Sequence, residues 1–147
     1  MKFIKNNIFA LIIFNLLFSK FPDATNYNGM VVSSNKYASD IGVEVLKNGG
    51  NAIDAAIAVS FALAVVHPGA GNIGGGGFMV IRTAEGEVTT IDFREKAPSS
   101  ASQNMFLDDS LNVIPNKSWS TALASGVPGS VAGMWLAHEK YGTKPWY

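Results

Sequence analysis

The stretch that most constrains this chain is Ala52 to Val66. After Asp54 it is apolar on nearly every side, with Ala55, Ala56, Ile57, Val59, Phe61, Leu63 and Val65. A helix that is hydrophobic all round has no face to offer water, so it belongs inside a sizeable protein or a membrane. It is fifteen residues long, and a bilayer-spanning helix needs roughly 20. Its many alanines suit close packing against a sheet instead. Its borders are sharp. An apolar rhythm over Ala38–Leu46 predicts a preceding helix, and Asn48-Gly49-Gly50 ends it, as glycine past a helix C-terminus does. Asn51 reads as the N-cap of the apolar helix, with Asp54 three residues on as a loose capping box. His67-Pro68 stops it.

Gly69 to Gly77 then holds six of the fifteen glycines. Phe78–Arg82 and Val88–Phe93 read as the strands of a β-hairpin across a turn at Ala84–Glu87. Met30–Ser34 is β-prone and predicts a further strand, and Ser99–Ser120 reads as polar and irregular. Pro128 is placed as the first residue of a helix running to about Tyr141, closed by Gly142. Helices interleaved with a hairpin give an α+β chain.

Composition removes several functions. Lys+Arg and Asp+Glu number 11 each, which gives no basic excess for phosphate neutralisation and argues against a nucleic-acid partner. There are no cysteines, so disulfides, thiolate metal sites and a Cys nucleophile are absent from this chain. At the N-terminus, Lys2 and Lys5 precede an apolar run over Ile8–Phe18, followed by Ser19, Lys20, Pro22 and Asp23. This is the layout of a secretory signal. Residues 1–24 are therefore expected to be a signal peptide or an N-terminal anchor, with export to the periplasm or outside the cell. Pro22 and Ala24 make a poor cleavage site, which keeps the anchor open.

Gly69-Ala70-Gly71-Asn72-Ile73-Gly74 matches G-x-G-x-x-G, with Asp92 twenty-odd residues on. A dinucleotide fingerprint must follow a strand and open a helix, and this one does the reverse. A glycine run before a strand fits a place where backbone approaches backbone or a ligand. His67 and His138 are the only histidines and lie in no H-E-x-x-H pattern, so they suggest no metal site. No G-x-S-x-G occurs. Asn116-Lys117-Ser118 is a glycosylation sequon that matters only in a eukaryotic secretory route. Arg94, in Asp92-Phe93-Arg94-Glu95, is one of two arginines. An arginine can grip a carboxylate bidentately. On spacing alone, a surface ion pair with Asp92 or Glu95 is the favoured reading.

Five stretches in order resemble the γ-glutamyltranspeptidase family. They are Gly49-Gly50-Asn51-Ala52-Ile53-Asp54-Ala55-Ala56, Asn72-Ile73-Gly74-Gly75-Gly76-Gly77-Phe78-Met79, Asp92-Phe93-Arg94-Glu95-Lys96-Ala97-Pro98, Phe106-Leu107-Asp108-Asp109, and Ser125-Gly126-Val127-Pro128-Gly129-Ser130-Val131-Ala132-Gly133. The resemblance implies an N-terminal-nucleophile hydrolase with a four-layer αββα sandwich. Residues 25–147 would then be the N-terminal part of its large subunit. It also implies a precursor that cuts itself, and a small-subunit N-terminal threonine as nucleophile, outside this chain. The substrate would be glutathione or another γ-glutamyl compound, with water or an amino acid or peptide as acceptor and no cofactor. Arg94 would bind the α-carboxylate of the γ-glutamyl group. No catalytic residue is expected here, so the chain alone is expected to be truncated and inactive. A related acylase, a poly-γ-glutamate processing enzyme or an inactive secreted fragment remain as alternatives.

Overall fold

The computed structural model describes residues 28–146. The signal segment expected over residues 1–24 lies outside them. Every element below belongs to the unit that begins at Val31.

Helix α1 spans Lys36–Lys47 and α2 spans Ala52–Val66. Between them α1 closes in a Schellman motif: Gly50 N–H donates to the Val45 carbonyl at 2.9 Å and Gly49 N–H to that of Leu46 at 3.0 Å, with Gly49 at φ +79°. The next residue starts α2. Asn51 Oδ1 accepts from the N–H groups of Ile53 and Asp54, and Asp54 Oδ2 accepts from Asn51 N–H at 2.8 Å. The predicted capping box is therefore formed in full, and His67 is the C-cap.

Strand β1, Phe78–Arg82, pairs antiparallel with β2, Val88–Asp92, with Met79 opposite Ile91 and Ile81 opposite Thr89. Alternation turns Met79, Ile81 and Ile91 inward and leaves Phe78, Val80 and Val88 outward. A short helix α3 (Lys117–Ser120) interrupts the stretch read as irregular. Helix α4, Ser130–Tyr141, then crosses the inward face of the hairpin. The core is Ile57 of α2, Ile81 and Ile91 of the hairpin, and Met134 and Ala137 of α4, with Ile53, Met79, Phe93 and Tyr141 packed around it.

Three expectations need correction. Met30–Ser34 joins no ladder among the described residues. Its polar end is used for capping instead: Ser33 Oγ donates to the Asn35 carbonyl at 2.8 Å, and Asn35 Oδ1 accepts from Tyr37 N–H to cap α1. Helix α4 begins at Ser130 rather than Pro128. A two-way backbone bridge between Lys96 and Val127, at 3.2 and 2.8 Å, holds the chain extended just before Pro128. Finally, α2 is not buried on every side. Asp54, Ala55, Ile57 and Val59 are buried, but Phe61 is 37% and Val65 79% exposed, because the described layers cover one side of the helix.

Candidate functional site

The glycine run and the Asp92–Glu95 turn meet at one end of α4. Gly77 and Phe93 exchange backbone hydrogen bonds at 3.4 and 3.0 Å, carrying the hairpin pairing one residue past the strands. Behind this turn two glycines are essential. A Cβ on Gly76 would lie 2.5 Å from the Phe93 carbonyl oxygen and 2.7 Å from Glu95 N. A Cβ on Gly129 would lie 2.0 Å from the same oxygen. Such distances admit no side chain, so the turn is gripped between two bare backbones. The Gly75 carbonyl accepts from the N–H groups of Gly129 and Ser130 at 2.8 and 3.1 Å, satisfying donors that the start of α4 leaves free. Ser130 Oγ donates to the Asn72 carbonyl at 3.3 Å. The glycine run is thus a backbone-to-backbone connection, as its composition suggested, and it leads from a helix into a strand.

On this support the turn presents Arg94. Its N–H donates to Asp92 Oδ1 at 3.0 Å, and its Nε donates to Glu95 Oε2 at 3.2 Å. The Arg94 side chain is 68% exposed. Among the described residues no other group bonds the guanidinium, so its terminal nitrogens face solvent. The surface pair with Glu95 therefore exists, and at this exposure it adds little stability. Glu95's own backbone N–H, with help from the Arg94 side chain and charge, holds its carboxyl below the usual carboxylate range despite some desolvation. Beside the turn lies a cleft of about 260 Å³, lined by Asp92, Arg94, Lys96, Val127, Pro128 and Leu136 among others. Its charged lining is Arg94 and Lys96 against the single carboxylate of Asp92, and the rest is mostly apolar, an arrangement that can hold a small anionic molecule by one end.

The other sequence candidates are structural. His67 caps α2. His138 Nε2 bonds the Lys144 carbonyl at 2.6 Å, and its ring stacks on Trp135. Among the described residues no cluster of three or more His, Asp or Glu could hold a metal, and no helix is long and apolar enough to cross a membrane.

A model of the γ-glutamyltranspeptidase family matches residues 38–147. The chain belongs to the γ-glutamyltranspeptidase family. It is 64% identical over 117 residues to a glutathione hydrolase proenzyme of Pseudomonas sp. (strain A14), covering 80% of this chain and 20% of that relative. It is 59% identical over 117 residues to the glutathione hydrolase proenzyme of Escherichia coli K12, with the same coverage. The crystal structure of Helicobacter pylori γ-glutamyltranspeptidase matches at a TM-score of 0.79 and 59% identity, over 84% of this chain and 35% of that one. The chain thus spans about a fifth of the length of the curated relatives it matches. Its fold class is that of the N-terminal-nucleophile γ-glutamyltranspeptidases, of which it carries one portion.

One feature escaped the sequence. The carboxylate of Asp54 closes a capping box, but it also accepts from Thr143 Oγ1 at 2.6 Å, from Thr143 N–H at 3.1 and 3.2 Å, and from Lys144 N–H at 3.3 Å. The available signal was an acid at the head of an otherwise apolar helix. Nothing in it named the partner.

Proposed function

We propose that this chain is the N-terminal part of the large subunit of an exported glutathione hydrolase and γ-glutamyltransferase. In this reading the hydroxyl of a small-subunit N-terminal threonine attacks the γ-carbonyl carbon of glutathione or a related γ-glutamyl amide. The amine leaves with a proton, and a γ-glutamyl ester remains on the enzyme. Water, or the amine of an amino acid or peptide, then takes the γ-glutamyl group. The threonine's own α-amine can serve as its base. Identity of 64% and 59% to glutathione hydrolase proenzymes supports this over a related acylase.

The observation that carries this chain's share is the rigidly backed Asp92–Glu95 turn, which turns the free end of the Arg94 guanidinium to solvent at a cleft. Arg94 is assigned to the α-carboxylate of the γ-glutamyl group. A guanidinium fork meets both carboxylate oxygens, whereas an ammonium keeps the charge and loses the fork. In the processed enzyme, Arg94→Lys is expected to raise KM for γ-glutamyl donors by about tenfold or more, the scale of a lost charge-assisted bond, with a smaller change in kcat. An unchanged KM would overturn the role. Export through residues 1–24 is tested separately by sequencing the N-terminus of the mature protein and by cell fractionation. A cytoplasmic product with Met1 intact would refute it.

A further inference from the structure

Asp54 is only 6% exposed, and among the described residues no cation pairs with it. Four different groups donate to its two oxygens: the N–H of Asn51, the N–H and hydroxyl of Thr143, and the N–H of Lys144. This fills a carboxylate's accepting capacity. A capping box needs only the first of these bonds and works at the surface. The burial of a full charge is costly, and here it serves a contact between residues 89 positions apart. Asn51 Nδ2 adds a bond to the Tyr141 carbonyl at 2.6 Å, and Lys144 Nζ reaches the Asn48 carbonyl. The start of α2, with the Asn48 cap before it, therefore holds Tyr141 at the end of α4 and Thr143 and Lys144 just beyond it.

At its other end α4 is held by the loop that leaves α2. The Gly75 carbonyl receives the N–H groups of Gly129 and Ser130, and Ser130 Oγ reaches the Asn72 carbonyl. The two helices are antiparallel and tied at both ends, which sets how far α4 can slide along α2. That axial position matters at the Arg94 turn. The backbone of Gly129 presses on the Phe93 carbonyl, and a Cβ on Gly133 would meet the Phe93 ring at 2.1 Å. Any slide or roll of α4 must displace Phe93, and Arg94 is the next residue.

We infer that Asp54 is a positioning residue for Arg94, acting from the far end of α4, about 18 Å of helix away, by locking the register of α4 against α2. This rests on the assignment of Arg94 to the substrate α-carboxylate. A merely structural Asp54 would affect stability and maturation alone. A positioning Asp54 affects recognition of the one substrate group that Arg94 holds.

The test uses the processed enzyme with Asp54→Asn, Thr143→Val and Arg94→Lys. Each is assayed with a γ-glutamyl anilide and with the 4-aminobutyryl anilide, which lacks the α-carboxylate, and each is followed by thermal unfolding. Asp54→Asn is expected to raise KM for the γ-glutamyl donor on the order of tenfold, since displacements well below 1 Å at a binding group are felt at that scale. KM for the 4-aminobutyryl compound should stay within about twofold of the parent enzyme. Thr143→Val, which removes one donor, should shift the same ratio in the same direction by less. If Asp54→Asn fails to mature, Thr143→Val decides by the same ratio. A lower Tm with an unchanged ratio overturns the inference, as does an equal loss with both compounds. If Arg94→Lys leaves the ratio unchanged, the Arg94 assignment falls first. If Arg94→Lys moves it and the Asp54 and Thr143 variants do not, the positioning inference alone is wrong.

Discussion

At the scale of single residues, two glycines of one loop should behave oppositely. A Cβ on Gly76 would strike backbone atoms of Phe93, Arg94 and Glu95 at 2.5 to 2.9 Å, whereas one on Gly69 would meet nothing within 4 Å. Overpacking against backbone that cannot move costs about 1–3 kcal/mol or more, and an open surface position stays within about 0.5 kcal/mol. Gly76→Ala is therefore expected to lower Tm and weaken donor binding, and Gly69→Ala to do neither, by thermal unfolding and steady-state assay. Asp54 makes a second prediction. Burial pushes its carboxyl up, but the Thr143 hydroxyl and the N–H groups of Asn51, Lys144 and Thr143 outweigh that, so the net shift is below the ordinary 3.8. A group with a lower value folded than unfolded stabilises fully above the unfolded value and loses that contribution as pH falls through the folded one. The Tm advantage of the parent protein over Asp54→Asn should be constant above about pH 5 and shrink on acidification below about pH 4. A gap independent of pH would contradict the ionised tie.

At the scale of elements, the start of α2 does two jobs. Asn51→Ala removes an N-cap, ordinarily worth about 0.5–2 kcal/mol, and also the bond to the Tyr141 carbonyl. Because Asn51 and Asp54 share one network, their combined loss in denaturant unfolding should be smaller than the sum of the single losses. An additive pair would mean that cap and tie are independent. This element also shows how much was legible in advance. Helix α2, its capping box, the glycine stop after α1 and the hairpin all follow from local rules of three to five residues, and each formed. Arg94 stands out in the sequence as one of two arginines, but its substrate role comes only through resemblance, because spacing favours an ion pair with Asp92 or Glu95, and the structure contains the one with Glu95. The sequence places the start of α4 two residues too early, because the Lys96–Val127 bridge that delays it is not local. The Thr143 side of the tie was illegible for the same reason: nothing near Asp54 announces a partner 89 residues on.

At the scale of the molecule, one face of each layer is satisfied and the other is not. Phe78, Val80 and Val88 on the outer side of the hairpin are 65%, 74% and 65% exposed, a concentration of apolar surface rarely left open to water. A four-layer sandwich stacks a second sheet about 10 Å away on such a face. In the complete processed protein, Val80→Lys should therefore lower stability by roughly 1–3 kcal/mol through an unpaired buried charge, measured as denaturant midpoint. A change within about 0.5 kcal/mol would mean that the face is wet. The bond between Asp54 and Thr143 also says something about time. Closing a chain segment of 89 residues costs about 4 kcal/mol of entropy before any contact is gained, so this tie cannot nucleate anything. It must close after the hairpin and the helix pair have already brought its ends together. Breaking it should then hasten unfolding while leaving the refolding limb of a chevron almost unmoved. The register of α4 that backs the Arg94 turn would be among the last features to be fixed, and among the first to be lost.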